Sequence, residues 1–203
     1  MTPGRTEAEV GADIAAAIVE EGHVQADFVI VGSGPNGASP HHELSSRTVQ
    51  AGDVVVVDIG GETATGYRSD CTRTYVVGGS PDADVAEWYG VLQAAQQAAT
   101  VAVCPGVTAE KIDAAARQVI ADAGWGEHFI HRTGHGIGLD THETPYIVTG
   151  NDLPLVAGMA FSVEPGIYLA GRCGARIEDI VVCTQDGART LNDGPRELVE
   201  LPG

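Results

Sequence analysis

The sequence predicts an α+β fold made of two related halves packed as one unit. Three observations carry this. Runs of β-branched residues such as Val54 to Ile59 read as strands. Two segments, PGRTEAEVGADIAAAIVEEG from Pro3 and PGVTAEKIDAAARQVIADAG from Pro105, share Pro-Gly, then a threonine, then helix-like spacing. Each is followed by strand-like sequence with glycines and histidines. The two alanine-rich helices alone do not separate a repeat from chance similarity.

Each element has a local reason. Thr6 with Glu9 forms a capping box, and Val10, Ile14 and Ile18 then fall on one helix face. Gly60, Gly61 and Gly66 supply turn chemistry between the Val54–Ile59 strand and a returning strand over Tyr67–Val77. A hairpin centred near Ala64 places Asp58 and Asp70 six residues either side of the centre, directly opposed on one face. Opposed side chains have Cβ atoms about 5 Å apart, and like charges there are destabilising. A shared cation offsets that repulsion, and so does a shared proton; in another register both acids are simply solvated. A long alanine-rich helix is expected over Asp82–Val103. Thr108 then caps a helix with Ile112, Ala115, Ala116 and Val119 on its apolar face.

Composition narrows the function. At 203 residues and 43% hydrophobic content the chain suffices for one sizeable core or two small lobes. No apolar run is long enough to span a membrane. A formal net charge of −17 repels nucleic-acid phosphates and anionic membranes, so neither is an expected partner. Met1 to Glu9 is polar and charged, unlike a secretory signal, and none of the four cysteines forms a Cys-x-x-Cys pair. A reduced, cytoplasmic chain is the expectation.

Polar residues interrupt the remaining apolar runs. In RTGHGIGLDTHETP, His135 lies between glycines, which let backbone approach a ligand, and His142 follows seven residues later. Such histidines are either ligands or hydrogen-bonded core residues. In MAFSVEPGIYLAGRCGARIEDIVV, Glu164 precedes a proline and Glu178 stands between Ile177 and Ile180. Asp179 points to the opposite face from Glu178, so only one joins a site, and a change at Asp179 is expected to be mild. Arg176 shares the face of Glu178. Together, Asp58, Asp70, His135, Glu164 and Glu178 supply four carboxylates and one imidazole. Mostly oxygen ligands with one imidazole suit manganese, or cobalt and iron. Four negative charges call for two divalent ions, the logic of a hydrolytic two-metal site.

These residues resemble the pita-bread metallopeptidases, which include methionine aminopeptidase, prolidase and aminopeptidase P. The likeness runs through PGRTEAEV, SGPNGASPHH, DIGGETATGYRSDCTRTY, GHGIGLDTHE, SVEPGIY and RIEDIVV, in the family's order. It implies a curved antiparallel sheet with helices on its outer face and pseudo-two-fold halves, all 203 residues forming one catalytic domain. It implies that Asp58 holds one metal, that Asp70 and Glu178 bridge both, and that His135 and Glu164 hold the other, with Glu164 also moving a proton. It makes His41 and His142 catalytic and substrate-binding, His131 a weaker substrate-side histidine and Arg176 the residue that orients Glu178 on the substrate side, with His42 a neighbour. Manganese is the expected metal, with cobalt, iron or zinc as alternatives.

SDCTRTY, EPGIY and ARIED look like the Xaa-Pro peptidase branch, which implies a small peptide substrate with proline second. The alternatives are a methionine aminopeptidase-like activity or a non-catalytic peptide-binding module of the same fold. The chain departs from the family in two ways: the Asp58–Asp70 spacing is one residue longer than the commonest form, and the branch's separate amino-terminal domain is not among these residues. The first half also has no counterpart of the Asp82–Val103 helix, which would leave part of its apolar surface uncovered, so the chain is expected either to be a fragment of a longer enzyme that supplies this first helix upstream or to cover the surface with a second copy in a homodimer.

Overall fold

The computed structural model describes residues 1–203. Helix α1 (Glu7–Glu20) is followed by strand β1 (His23–Ser33), a 3-10 turn over Gly34–Ala38, and the hairpin β2 (Asp53–Thr63) and β3 (Arg68–Val77). Helices α2 (Ala83–Ala102) and α3 (Ala109–Asp122) lead into the second half. That half holds β4 (Gly134–Gly136), β5 (Glu143–Ile147), β6 (Ala160–Val163), β7 (Gly166–Leu169), β8 (Cys173–Arg176), β9 (Asp179–Thr184) and β10 (Gly187–Thr190). The final strand, β11 (Val199–Leu201), returns to the first sheet.

The strands form a sheet β1-β2-β3-β11, a sheet β10-β9-β6-β4-β5 and the ribbon β7-β8. All pairings are antiparallel except β11 with β3. The two halves are stitched between β3 and the β8–β9 segment: Glu178 N donates to Thr72 O at 3.1 Å, and Thr74 Oγ1 to Arg176 O at 3.0 Å.

The repeat read in the sequence is present in the backbone. Gly4 N donates to Val49 O and Gly106 N to Leu155 O; Glu7 N donates to Arg47 O and Ala109 N to Leu153 O. Thr6 bridges Thr48, and Thr108 bridges Pro154. The helix starts differ in one respect. Thr6 and Glu9 complete the capping box, whereas Thr108 faces Lys111 at the third position and its buried Oγ1 finds no partner.

The halves are also unequal in packing. Helices α2 and α3 cover a core cluster of 24 buried residues that includes Trp88, Leu92, Ile112, Phe161 and Ile177. The first half has a six-valine cluster: Val10, Val31, Val49, Val55, Val57 and Val77. On α1, Val10 is buried, Ile14 and Ile18 are half-buried, and the adjacent Val19 is exposed.

The hairpin register differs from the expectation by one residue at the turn. Asp58 pairs with Thr72, and Asp70 pairs with Gly60. Gly66, at φ +84°, makes the turn, with Thr63 N donating to Tyr67 O and Gly66 N to Thr63 O, both at 2.9 Å. A three-residue loop with glycine in the left-handed position is a common hairpin closure. The tip therefore centres on Thr65. Asp58 and Asp70 stay on one face as a diagonal pair, and Asp70 finds no side chain across from it at Gly60.

Candidate metal and substrate site

The period of two along β2 divides its side chains. Val55 and Val57 enter the small core beneath α1, while Val54 enters the large core. Asp58 lies on the Val54 side, with Asp70, Thr72 and Thr74 of β3. Glu164 follows β6 directly and Glu178 precedes β9, so the second half sends its acids to the same place. A cleft of about 680 Å³ is lined by Asp58, Asp70, His135, Glu164 and Glu178, with His41, His131, His142 and Arg176 around them. Every residue expected at the site is therefore in one cavity.

Asp70, His135 and Glu178 place donor atoms within 4.8 Å of one another. His135 Nε2 is 3.3 Å from Glu164 Oε1 and 3.6 Å from Asp70 Oδ2. Its Nδ1 contacts Gly136 O at 3.0 Å, which puts the proton on Nδ1 and leaves the Nε2 lone pair facing the acids. Burial lowers the His135 pKa to about 4, so the ring is neutral at pH 7. Burial pushes Asp70 and Glu178 well above the ordinary carboxylate range, and the neighbouring carboxylates add to the shift. Burial raises Glu164 as well, against the opposing charge of Arg176.

Two carboxylate oxygens in the cleft, Asp58 Oδ1 and Glu178 Oε1, are buried and have no hydrogen-bond partner. Buried orphan acceptors are rare and costly. Together with repelling acids and a neutral imidazole, they form a donor set that fits divalent cations.

Sequence reasoning needs correction at three points. Arg176 pairs directly with Asp58 Oδ2 at 2.6 Å and reaches Glu178 only through Thr72, whose Oγ1 accepts from Arg176 Nε at 3.1 Å and donates to Glu178 Oε2 at 2.7 Å. With further bonds to Pro40 O and Tyr168 Oη, it uses four of the five N–H directions of a guanidinium on the protein itself, with Asp58 as its ion-pair partner. The glycines around His135 make room for neighbouring backbone, not for a ligand. A Cβ on Gly134 would lie 1.8 Å from Ser162 O, and one on Gly136 would lie 2.4 Å from Thr144 O. Asp179 does face away, yet it is fully buried and holds Arg73 at 2.8 Å, Arg196 at 2.5 Å and the Gln96 amide at 2.9 Å. His131 is half-buried, with Nε2 2.8 Å from Tyr168 Oη, and burial lowers its pKa to about 3.

Other residues that shape the site had no clear signal in the sequence. Glu7 is fully buried on α1 and accepts from Ser33 N, Ser33 Oγ, Asn36 Nδ2 and Ser45 Oγ, with His42 Nε2 at 2.7 Å. It ties down the segment that carries His41. Asp113 on α3 does the same for the second half: it accepts from Thr133 N and Oγ1, while Arg117 donates to Phe129 O and His131 O. Only the outcome, an acid in each helix holding a hydroxyl residue of the next segment, shows the correspondence.

Fold and cleft define a class: a two-half α+β domain whose halves together present an acid-and-histidine donor set of metal-site type. Comparison with known proteins gives the family. The family model described as metallopeptidase family M24 matches residues 1–185. The probable dipeptidase PepE of Mycobacterium tuberculosis is 64% identical over 202 residues, covering 100% of this chain and 54% of that protein. The crystal structure of dipeptidase PepE from Mycobacterium ulcerans superposes with a TM-score of 0.98 at 65% identity, over 100% of this chain and 54% of that one. Prolidase from Pyrococcus furiosus superposes at 0.93 with 40% identity, over 97% of this chain and 58% of that one. The chain belongs to metallopeptidase family M24 and has its pita-bread fold. It spans about half the length of the relatives it matches.

Proposed function

We propose that the cleft hydrolyses the peptide bond between an N-terminal residue and a following proline, using two divalent metal ions, with manganese first among the candidates. The observation that carries this reading is the pair of buried, unpartnered carboxylate oxygens on Asp58 and Glu178 in a cleft shared with Asp70, His135 and Glu164. Relatives named Xaa-Pro dipeptidase, such as that of Lactobacillus delbrueckii at 48% identity over 185 residues, support the substrate class.

Asp58 would hold one ion, His135 and Glu164 the other, with Asp70 and Glu178 shared between them. Bound ions supply an activated water and a polarised carbonyl. The protein's own groups do the rest. Arg176 and Thr72 fix the Asp58 and Glu178 carboxylates before a cation arrives. Glu164, held by Ser162 Oγ at 2.9 Å and with its pKa raised by burial, takes and returns a proton at its carboxylate. His41 and His142 are the exposed imidazoles of the cleft and hydrogen-bond the peptide. The apolar Phe28, Ile30 and Val148 line the wall available to a rigid proline ring.

The test is release of free proline from Ala-Pro by the manganese-loaded chain, with Ala-Ala as the control. Cleavage of Ala-Pro alone is expected. Equal cleavage of both, or of neither, rejects the substrate assignment.

A further inference from the structure

One cation in the cleft has no partner. The chain has ten arginines, and eight are ion-paired. Of the other two, Arg189 is exposed on β10, where water satisfies it. Arg132 is half-buried and lines the cleft, its Nε is buried with no hydrogen-bond partner, and it forms no ion pair. A buried N–H without a partner is costly, and on a positively charged guanidinium the acceptor that suits it best is an anion.

The residue is also held ready. Its neighbours are clamped from α3, His131 through its carbonyl to Arg117 and Thr133 through Asp113. The guanidinium carbon stands 5.3 Å from the centre of the Tyr146 ring. Stacking on an aromatic face orients a guanidinium and leaves its N–H fork, which matches a carboxylate, free at the edge. Charge points the same way. Two divalent ions would offset the four carboxylates, so Arg176 and Arg132 would leave the loaded cleft positively charged, and of the two only Arg132 has no carboxylate beside it.

We infer that Arg132 binds a carboxylate of the substrate and so sets which peptides the cleft accepts. The inference rests on the peptidase reading above. Two groups of a short Xaa-Pro peptide have this chemistry: the free α-carboxylate on proline, and the side chain of an acidic first residue. No protein acceptor competes for the fork in either case.

The experiment uses the full chain loaded with manganese, as wild type, Arg132→Gln and Arg132→Lys. Kinetics are measured on Ala-Pro, Ala-Pro amide and Glu-Pro, and affinities for proline and prolinamide by calorimetry. A charge-assisted bond of this kind is worth roughly 10- to 100-fold in binding or kcat/KM. If the α-carboxylate is bound, wild type prefers Ala-Pro to its amide, and proline to prolinamide, by that factor. Arg132→Gln then loses the preference and Arg132→Lys keeps part of it. If an acidic side chain is bound, the preference lost is that for Glu-Pro over Ala-Pro. An equal effect of Arg132→Gln on all three peptides, with proline and prolinamide bound alike, overturns the inference. A chain that cleaves no peptide but binds proline better than prolinamide, and loses this in Arg132→Gln, rejects the peptidase reading while keeping the Arg132 assignment.

Discussion

Replacing Glu7 by glutamine tests whether the fold's own polar network holds the cleft together. Glu7 is fully buried, and its oxygens accept from Ser33, Asn36 and Ser45 and face His42 at 2.7 Å. Burial alone would raise its pKa, but the hydrogen bonds from Ser33, Ser45 and His42 outweigh it and bring the carboxyl from 4.5 down to about 2. That shift corresponds to about 3 kcal/mol of stability at pH 7. Because the folded value is the lower one, the contribution is complete above the unfolded pKa near 4.5. It falls to roughly half near pH 3 and vanishes below about 2. In a domain of this size about 3 kcal/mol is a fall of roughly 6–12 °C in Tm. Thermal unfolding of wild type and Glu7→Gln, followed by circular dichroism from pH 7 to pH 3, should show that gap narrowing as pH falls. The same variant should lose kcat/KM through a looser His41 segment while binding metal normally. A gap below 1 °C, or one that stays constant to pH 3, would refute the reasoning.

Three further substitutions separate structure from chemistry. Asp179→Asn should destabilise by about 3–5 kcal/mol, because it leaves Arg73 and Arg196 facing a buried neutral group; denaturant titration measures this, and a loss under 1 kcal/mol contradicts it. His142→Ala should lower turnover by about 10² to 10⁴ with metal content unchanged. Loss of metal, read by elemental analysis, would instead make His142 a ligand. Gly134→Ala should prevent normal packing of β4 on β6, because its Cβ would meet Ser162 O at 1.8 Å; a variant with wild-type Tm and metal binding would show that the strands have room to separate.

Much of this was legible in the sequence because the signals are local. The capping box at Thr6 and Glu9, the helix over Ala83–Ala102 and the strands around Asp58 and Asp70 depend on neighbours in the chain. The metal-type residues stood out for different local reasons: Asp58, Glu164 and Glu178 interrupt apolar runs, Asp70 falls on the face of Asp58 across the hairpin, and His135 stands between glycines. The hairpin register was misjudged because three nearby glycines compete for the turn, and only Gly66 adopts positive φ. Asp179 was underrated because strand alternation gives a direction but not the depth of burial on the far side. Its partners Arg73, Gln96 and Arg196 are scattered along the chain. Glu7 and Arg132 were missed for the same reason. One looks like an ordinary acid in a first helical turn, and the other like a solvated arginine, until the tertiary fold buries the first among donors and leaves the second without an acceptor.

The central claim is that the five-residue donor set holds two divalent ions, and counting bound metal tests it most directly. Wild type and Asp70→Asn are each stripped with chelator, titrated with manganese in a calorimeter and checked by elemental analysis. The account predicts close to two ions per wild-type chain, proton release on binding from the carboxyls that burial keeps protonated, and weakened binding of both ions in Asp70→Asn. A wild-type chain that saturates at one ion, or an Asp70→Asn chain that still binds two with unchanged affinity, would contradict it.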